Sequence, residues 1–169
     1  SQGAKVAVEI ALKNKHVTHL GLFGANPFGR IDQFVRKARK DVEQGKISWA
    51  QADQEMESNY NYYREIFNTP AEDDPSVKTW KSFSTPRIDD WLKINIPMYL
   101  AYGTHDITSD LCDLVPLYFI QHGKSNLTHK RYLNMEHNFF EVGEDGRADH
   151  TKGHWKEVMQ AFLDWTVMK

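Results

Sequence analysis

The sequence has almost no cysteine: Cys112 is the single one among 169 residues. One cysteine excludes a disulfide within the chain and any metal site built from cysteine ligands. Cys112 lies among leucines in "DLCDLVPLYF", a pattern typical of a small buried apolar side chain. No internal repeat and no low-complexity segment is visible either.

Long hydrophobic runs and a strong excess of one charge are also lacking. Hydrophobic residues make up 40% of the chain, charged residues 26%, and the net charge is −2. The apolar runs are far shorter than the roughly 20 residues of a membrane-spanning helix. Such a small net charge gives no reason to expect a nucleic acid partner. The densest basic stretch, "RKARK" at 36–40, lies in a helical pattern and predicts a solvated helix face.

Apolar spacing predicts two buried strands, and a more polar stretch a third, which alternate with helices. The strands are expected at 17–23, 96–103 and 128–134, and the helices beside them at 2–14, 109–123 and 154–168. Alternation of this kind is typical of a parallel sheet covered by helices on both faces. The sequence therefore predicts an α/β fold.

Residues 28–93 carry helix signals but no good strand. A helix is predicted at 30–44, and Ser48 with Gln51 forms a capping box that opens another. An aromatic stripe from Trp49 to Phe67 follows, which indicates either internal packing or the lining of an apolar substrate pocket. We expect this segment to leave the sheet after the first strand and to return just before Pro97.

Polar side chains follow two of the predicted strands. Asp106 comes after the strand at 96–103, and His137 comes after the strand at 128–134. Carboxyl ends of parallel strands meet at one edge of a sheet, so these side chains are expected to lie close together. Ser1 stands directly before the first helix, with Gly3 two positions later. Serine, aspartate and histidine in this chain order are typical of enzymes with a nucleophile elbow.

Each of these residues has an alternative interpretation. Ser1 is also explained as the first residue of a cloned fragment, and Asp106 as a cap of the following helix, although Asp110 with Ser109 fits that cap better. His150 and His154, with Asp149, have a metal-like spacing, but Gly153 argues against a helix there and favours a loop. The other histidines flank predicted elements away from the strand ends, or precede the acid: His16, His19, His105, His122 and His129.

The stretches "IPMYLAYGTHD" and "NMEHNFF" together resemble the C-terminal half of an α/β-hydrolase. In that family an apolar strand ends in G-x-x-D, and an H-x-F loop follows one helix and one strand later. "SQGA" is similar to the family's nucleophile turn. The resemblance covers a core of 1–27 and 94–169, while 28–93 falls where the family inserts a helical cap.

The resemblance implies roles for four residues. Ser1 would be the nucleophile, Asp106 the orienting acid, His137 the general base, and the N–H of Gln2 an oxyanion-hole donor. The implied function is cleavage of an ester, thioester or amide through an acyl-enzyme, without a cofactor or metal. The partner would be a small-molecule acyl substrate or a peptide. Alternatives are an acyltransferase or serine peptidase of the same fold, or an inactive fragment that acts only by association.

The family's second oxyanion donor and first strands precede its nucleophile. The resemblance therefore implies that half of the enzyme lies upstream of Ser1. The first strand of this chain would then lack a neighbour, and an open strand edge favours association. We expect either a homo-oligomer or binding of the missing N-terminal half. The sequence does not indicate a cellular compartment.

Overall fold

The computed structural model describes residues 2–72 and 74–169. The chain divides into two compact units, the first formed by Ser1–Pro27 with Arg87–Lys169 and the second by Phe28–Pro86. The predicted nucleophile, Ser1, lies outside the described residues. Each unit is described by itself.

A parallel three-stranded sheet organises the first unit. Its strands are β1 (Leu20–Phe23), β2 (Met98–Gly103) and β3 (Leu127–Tyr132), in the order β1-β2-β3. The pairing of β1 with β2 begins with Leu20 opposite Met98. The pairing of β2 with β3 begins with Met98 opposite Leu127. The predicted α/β class is thereby confirmed.

The central strand lies in the core, because all six residues of β2 are buried. Both of its faces are therefore covered, as expected for a strand in the middle of a parallel sheet. On one face Tyr99 and Ala101 pack in a cluster with Val158 and Trp165 of the C-terminal helix. Met98, Leu100 and Tyr102 are buried on the other face.

The first unit also contains helices and a 3-10 helix. They are α1 (Gln2–Lys13), α5 (Ile88–Lys93), the 3-10 helix Asp110–Leu114, α6 (Val115–Gln121) and α7 (Trp155–Met168). The chain leaves this unit after Pro27 and re-enters it at Arg87, whose N–H donates to the Pro27 carbonyl at 2.6 Å. Arg87 also pairs with Glu9 of α1 and Asp90 of α5, at 3.1 and 3.0 Å. These pairs hold α5 in the first unit, although the insertion predicted at 28–93 includes it.

The second unit is formed by α2 (Ile31–Glu43), α3 (Trp49–Asn68) and α4 (Pro75–Ser84). Its described residues include no strand. The capping box is present: the Ser48 hydroxyl accepts the N–H of Gln51, and the Gln51 side chain accepts the N–H of Ser48. Such a cap stabilises a helix by about 1 kcal/mol. The role of this segment as a cap over a substrate stays a prediction.

The aromatic stripe of α3 is only partly buried. Ala52 of the stripe is buried, but Trp49, Tyr60 and Phe67 are exposed. The Arg39 guanidinium lies over the Trp49 ring, 5.4 Å from its centroid. Half of the six stripe residues are therefore exposed, while Met56 and Tyr63 are partly buried. Whether the stripe serves packing or lines a substrate pocket stays a prediction.

The structure adds a two-stranded antiparallel hairpin that the sequence pattern did not predict. It consists of β4 (Phe140–Val142) and β5 (Ala148–Gly153). The turn between them contains Asp145 and Gly146, and Gly146 has a φ of 76°. The region around His150 was predicted as a loop, and this was wrong because the hairpin orders it as strand β5.

The segment after Asp106 was predicted as one helix over 109–123. It is instead a 3-10 turn followed by α6, with Pro116 in the first turn of α6. A proline fits there because the first turn of a helix leaves its N–H groups unbonded. Ser109 occupies the N-cap position of the 3-10 turn without a side-chain cap hydrogen bond, so the predicted cap is wrong.

Cys112 is fully buried, as its apolar setting predicted. No helix among the described residues is long and apolar enough to cross a membrane.

Candidate active site

The carboxyl end of β2 carries a tight turn that presents Asp106. The N–H of Asp106 donates to the Gly103 carbonyl at 3.1 Å, and the N–H of Thr104 donates to the Tyr132 carbonyl at the end of β3 at 3.0 Å. The turn is thus tied both to its own strand and to the neighbouring one. Asp106 is 2% exposed, which places its carboxyl beneath the surface at this sheet edge.

The structure brings Asp106 and His137 together. Nδ1 of His137 lies 2.7 Å from Oδ2 of Asp106. The histidine side chain is 29% exposed, whereas that of the aspartate is 1% exposed. The imidazole therefore contacts the buried carboxylate while remaining partly exposed to solvent. The catalytic roles of both residues stay predictions.

The two oxygens of Asp106 have separate partners. Oδ2 faces the imidazole, while Oδ1 accepts the N–H of Thr108 at 2.8 Å and its hydroxyl at 2.6 Å. The same hydroxyl oxygen lies 2.9 Å from Nδ1 of His137. Asp106 thus closes a local turn and binds the histidine, whereas the N-cap position of the following 3-10 helix is Ser109.

Glu136 and Phe139 shape the loop that carries His137. The Glu136 carboxylate accepts the N–H groups of Asn138 and Phe140, at 2.7 and 3.2 Å. Phe139 has a φ of 59°, a conformation that costs a non-glycine residue free energy. Its ring is fully buried and packs edge-on against Tyr132 and Trp155, which compensates that cost.

Two glycines allow this loop to approach the strand ends. A Cβ on Gly103 would lie 2.1 Å from the Met135 carbonyl oxygen, so only glycine lets the loop pass over β2. That carbonyl accepts the N–H of His105 at 2.9 Å. Gly24, at the end of β1, has a φ of 53°, and a Cβ there would lie 3.0 Å from Cε1 of His137. The glycine of the G-x-x-D pattern, Gly103, is therefore required for steric reasons in this chain.

The environment of Asp106 favours its ionised form. Burial opposes ionisation, but hydrogen bonds from His137 and Thr108 outweigh it, and the pKa of Asp106 lies below its ordinary value. An ionised carboxylate has no hydrogen to donate. The hydrogen between Oδ2 and Nδ1 therefore belongs to the imidazole. In the neutral ring this leaves Nε2 as the basic nitrogen.

The lowered pKa of Asp106 predicts an acid-dependent loss of stability. A carboxyl whose pKa is lower in the folded state stabilises the fold above its unfolded pKa, about 3.9, and this contribution disappears as pH falls through the folded pKa. We expect Asp106→Asn to remove this component. Urea unfolding from pH 6 to pH 2 would measure it as the difference between the two proteins.

Asp149→Asn is the matched control, because Asp149 closes a similar turn on the surface of the hairpin. Hydrogen bonds from Thr151 also lower the pKa of Asp149, but its side chain is 38% exposed, so its effect on the acid dependence should be smaller than that of Asp106→Asn. An unchanged acid dependence in Asp106→Asn would contradict the low pKa of this carboxyl.

A cavity of about 310 Å³ adjoins His137 in the first unit. Small residues of α1 and β1 form one side of it, and aromatic rings form another. Its lining comprises Gly3, Ala4, Ala7, Gly21, Phe23, His137, Asn138 and Trp155. Gln2 is the first residue of α1. N–H groups in the first turn of a helix have no partner within it, which is what the predicted oxyanion donor requires.

Within the part of the chain that the structure describes, the other histidine with carboxylate partners is His154, at the start of α7. Its ring contacts Glu157 through Nδ1 and Glu141 through Nε2, so both nitrogens are occupied. These contacts raise the pKa of His154. Among residues 2–72 and 74–169, no group of histidine, cysteine and acidic side chains is arranged as a metal site.

Comparisons with known proteins give one distant structural likeness. No family model matches the chain, and no curated protein matches it. Among solved structures, the chain is similar to an α/β hydrolase from Sphaerobacter thermophilus, with 13% identity and a TM-score of 0.37. The likeness covers 78% of this chain and 56% of that one. The chain thus spans little more than half the length of that structure.

Proposed function

We propose that this chain carries the catalytic residues of a serine hydrolase that cleaves an ester, thioester or amide through an acyl-enzyme. The observation that carries the proposal is the hydrogen bond between Asp106 and Nδ1 of His137, at the adjacent ends of two parallel strands. Both hydrogen bonds of the ring use Nδ1, and none within the described part of the chain engages Nε2. This arrangement is what a general base held by a carboxylate requires.

In the proposed mechanism, Ser1 Oγ attacks the acyl carbon while its proton passes to Nε2 of His137. The bond to the leaving group then breaks, and the leaving group takes that proton. Water attacks the acyl-enzyme in the second half, giving a proton to Nε2, and Ser1 recovers it as the acyl product departs. Asp106 stabilises the imidazolium that forms in each half.

The N–H of Gln2 is proposed to stabilise the negative oxygen of the tetrahedral intermediate. Its position at the start of α1 supports this role, because helix N-termini favour negative charge. Removing one such donor in hydrolases of this mechanism costs about 3–4 kcal/mol of transition-state stabilisation. The cavity beside His137 is the place proposed for part of the acyl substrate, since its walls are mainly apolar.

Covalent labelling tests the proposal. A fluorophosphonate probe, applied to the natural protein that contains this chain, is expected to modify Ser1, because such probes react with serines activated by a histidine. Peptide mass spectrometry would locate the adduct. Ser1→Ala and His137→Ala should each abolish it.

His154→Ala provides the matched control, since His154 also contacts carboxylates but lies at the start of α7. It should leave labelling unchanged. Labelling that persists in His137→Ala, or an adduct on another serine, would refute the proposed roles. Absence of any adduct in the folded natural protein would refute the hydrolase itself.

A further inference from the structure

The Asp106–His137 pair has a third member, Thr108, to which the sequence pattern gave no role. Its hydroxyl oxygen lies 2.6 Å from Oδ1 of Asp106 and 2.9 Å from Nδ1 of His137. With Oδ2 of Asp106 2.7 Å from Nδ1, the three side chains close a ring of contacts. The Thr108 N–H adds a 2.8 Å hydrogen bond to Oδ1, which fixes the residue against the carboxylate.

The positions of the hydrogens in this ring follow from counting donors. A carboxylate only accepts, so the short contact between Oδ1 and the hydroxyl must contain the threonine hydrogen. The hydroxyl oxygen then has only lone pairs to present to Nδ1. Nδ1 therefore carries a hydrogen, which the carboxylate and the hydroxyl oxygen share.

We propose that Thr108 is a positioning residue that holds His137 with its hydrogen on Nδ1. The carboxylate alone fixes one point of the imidazole and leaves the ring free to tilt about that contact. The hydroxyl supplies a second acceptor on the same nitrogen and also orients the carboxylate itself. Its effect on turnover rests on the proposed hydrolase function, whereas its effect on the His137 ring does not.

The chain contains a natural control for the local turn. Asp149 and Thr151 repeat the D-x-T arrangement in β5: the Thr151 N–H and hydroxyl donate to Oδ1 of Asp149 at 3.0 and 2.6 Å. These distances match those at Asp106 and Thr108 closely. Thr151 forms no hydrogen bond to a histidine within the described residues. The turn therefore does not depend on a histidine, and contact with Nδ1 is an additional property of Thr108.

NMR of the His137 ring tests the proposal directly. Wild type should show a protected, low-field Nδ1–H resonance and nitrogen shifts typical of a ring with its hydrogen on Nδ1. Thr108→Val keeps the shape of the side chain but removes the hydroxyl, so this resonance should shift and exchange faster with water. Thr108→Ser should restore the wild-type signal, and Thr151→Val should leave it unchanged.

Kinetics add a second readout where the protein hydrolyses a model ester. Thr108→Val should lower kcat about 10- to 100-fold, the equivalent of one hydrogen bond to a charged group, with little change in KM. Thr108→Ser should recover most of that loss. An unchanged His137 resonance in Thr108→Val, or a failure of Thr108→Ser to restore it, would overturn the proposal. A shifted resonance in a protein without hydrolase activity would support the positioning role and refute the hydrolase.

Discussion

In the proposed mechanism, replacing Asp106 with asparagine is expected to lower ester hydrolysis by about 10⁴-fold, the loss found when the triad aspartate of a serine protease is changed in this way. The structure gives a specific reason. Thr108 presents an N–H and a hydroxyl to Oδ1, and both are donors. They would bind the amide oxygen of the asparagine and so turn its NH₂ group toward His137. That group would donate to Nδ1, and the hydrogen of the neutral ring would move to Nε2.

A ring with its hydrogen on Nε2 cannot accept the serine proton. The loss should therefore appear in kcat, with a folded protein and a nearly unchanged KM. Steady-state kinetics with a chromogenic ester would measure it, and Asp149→Asn, in the surface turn, should keep wild-type activity. A loss smaller than tenfold in Asp106→Asn would show that another group orients His137.

The sequence was sufficient to predict the Asp106–His137 contact because it depends on strand order. β2 and β3 are adjacent and parallel, so residues beyond their carboxyl ends meet with little help from other parts of the chain. The lengths of the strands were less predictable. β1 begins at Leu20 rather than Val17, because its pairing begins where Leu20 lies opposite Met98.

Elements that depend on tertiary contacts were not predictable. The intrinsic preference of phenylalanine does not predict a φ of 59° at Phe139. Packing of its buried ring compensates the free-energy cost of that conformation. The hairpin of β4 and β5 is short and polar, and its strands lack the apolar alternation that predicts a strand. The Asp145–Gly146 pair in its turn was the signal available, since this dipeptide favours tight hairpin turns.

The short helices α4 and α5 lie in a region where the sequence pattern predicted no defined element. Asp74 caps α4 by accepting the N–H of Ser76, and Pro75 opens the helix. An aspartate followed by a proline is a helix start that the sequence does contain.

For Thr108 the signal was the D-x-T spacing, which predicts the local turn. Only the fold brings a histidine to that hydroxyl.

Gly103→Ala is expected to separate Asp106 from His137 and to destabilise the first unit. The added Cβ would lie 2.1 Å from the Met135 carbonyl oxygen and 2.7 Å from that of Glu136. Both neighbours are backbone, so no side-chain rotation can relieve the overlap. The loop would have to move away from β2, breaking the hydrogen bond from His105 to Met135. Overpacking of this kind costs about 1–3 kcal/mol or more of unfolding free energy.

The displaced loop carries His137, so the chemistry should suffer as well. A misplacement of about 1 Å can lower an enzymatic rate by about 10²-fold. Urea unfolding and the low-field Nδ1–H resonance of His137 would measure the two effects. Gly3→Ala is the control for the unfolding measurement, because a Cβ there has nothing within 4 Å, and alanine is favourable in a helix. If Gly103→Ala kept both its stability and the His137 resonance, the Met135–Glu136 loop would not be held against β2 as the structure describes. The glycine of the G-x-x-D pattern would then need another explanation.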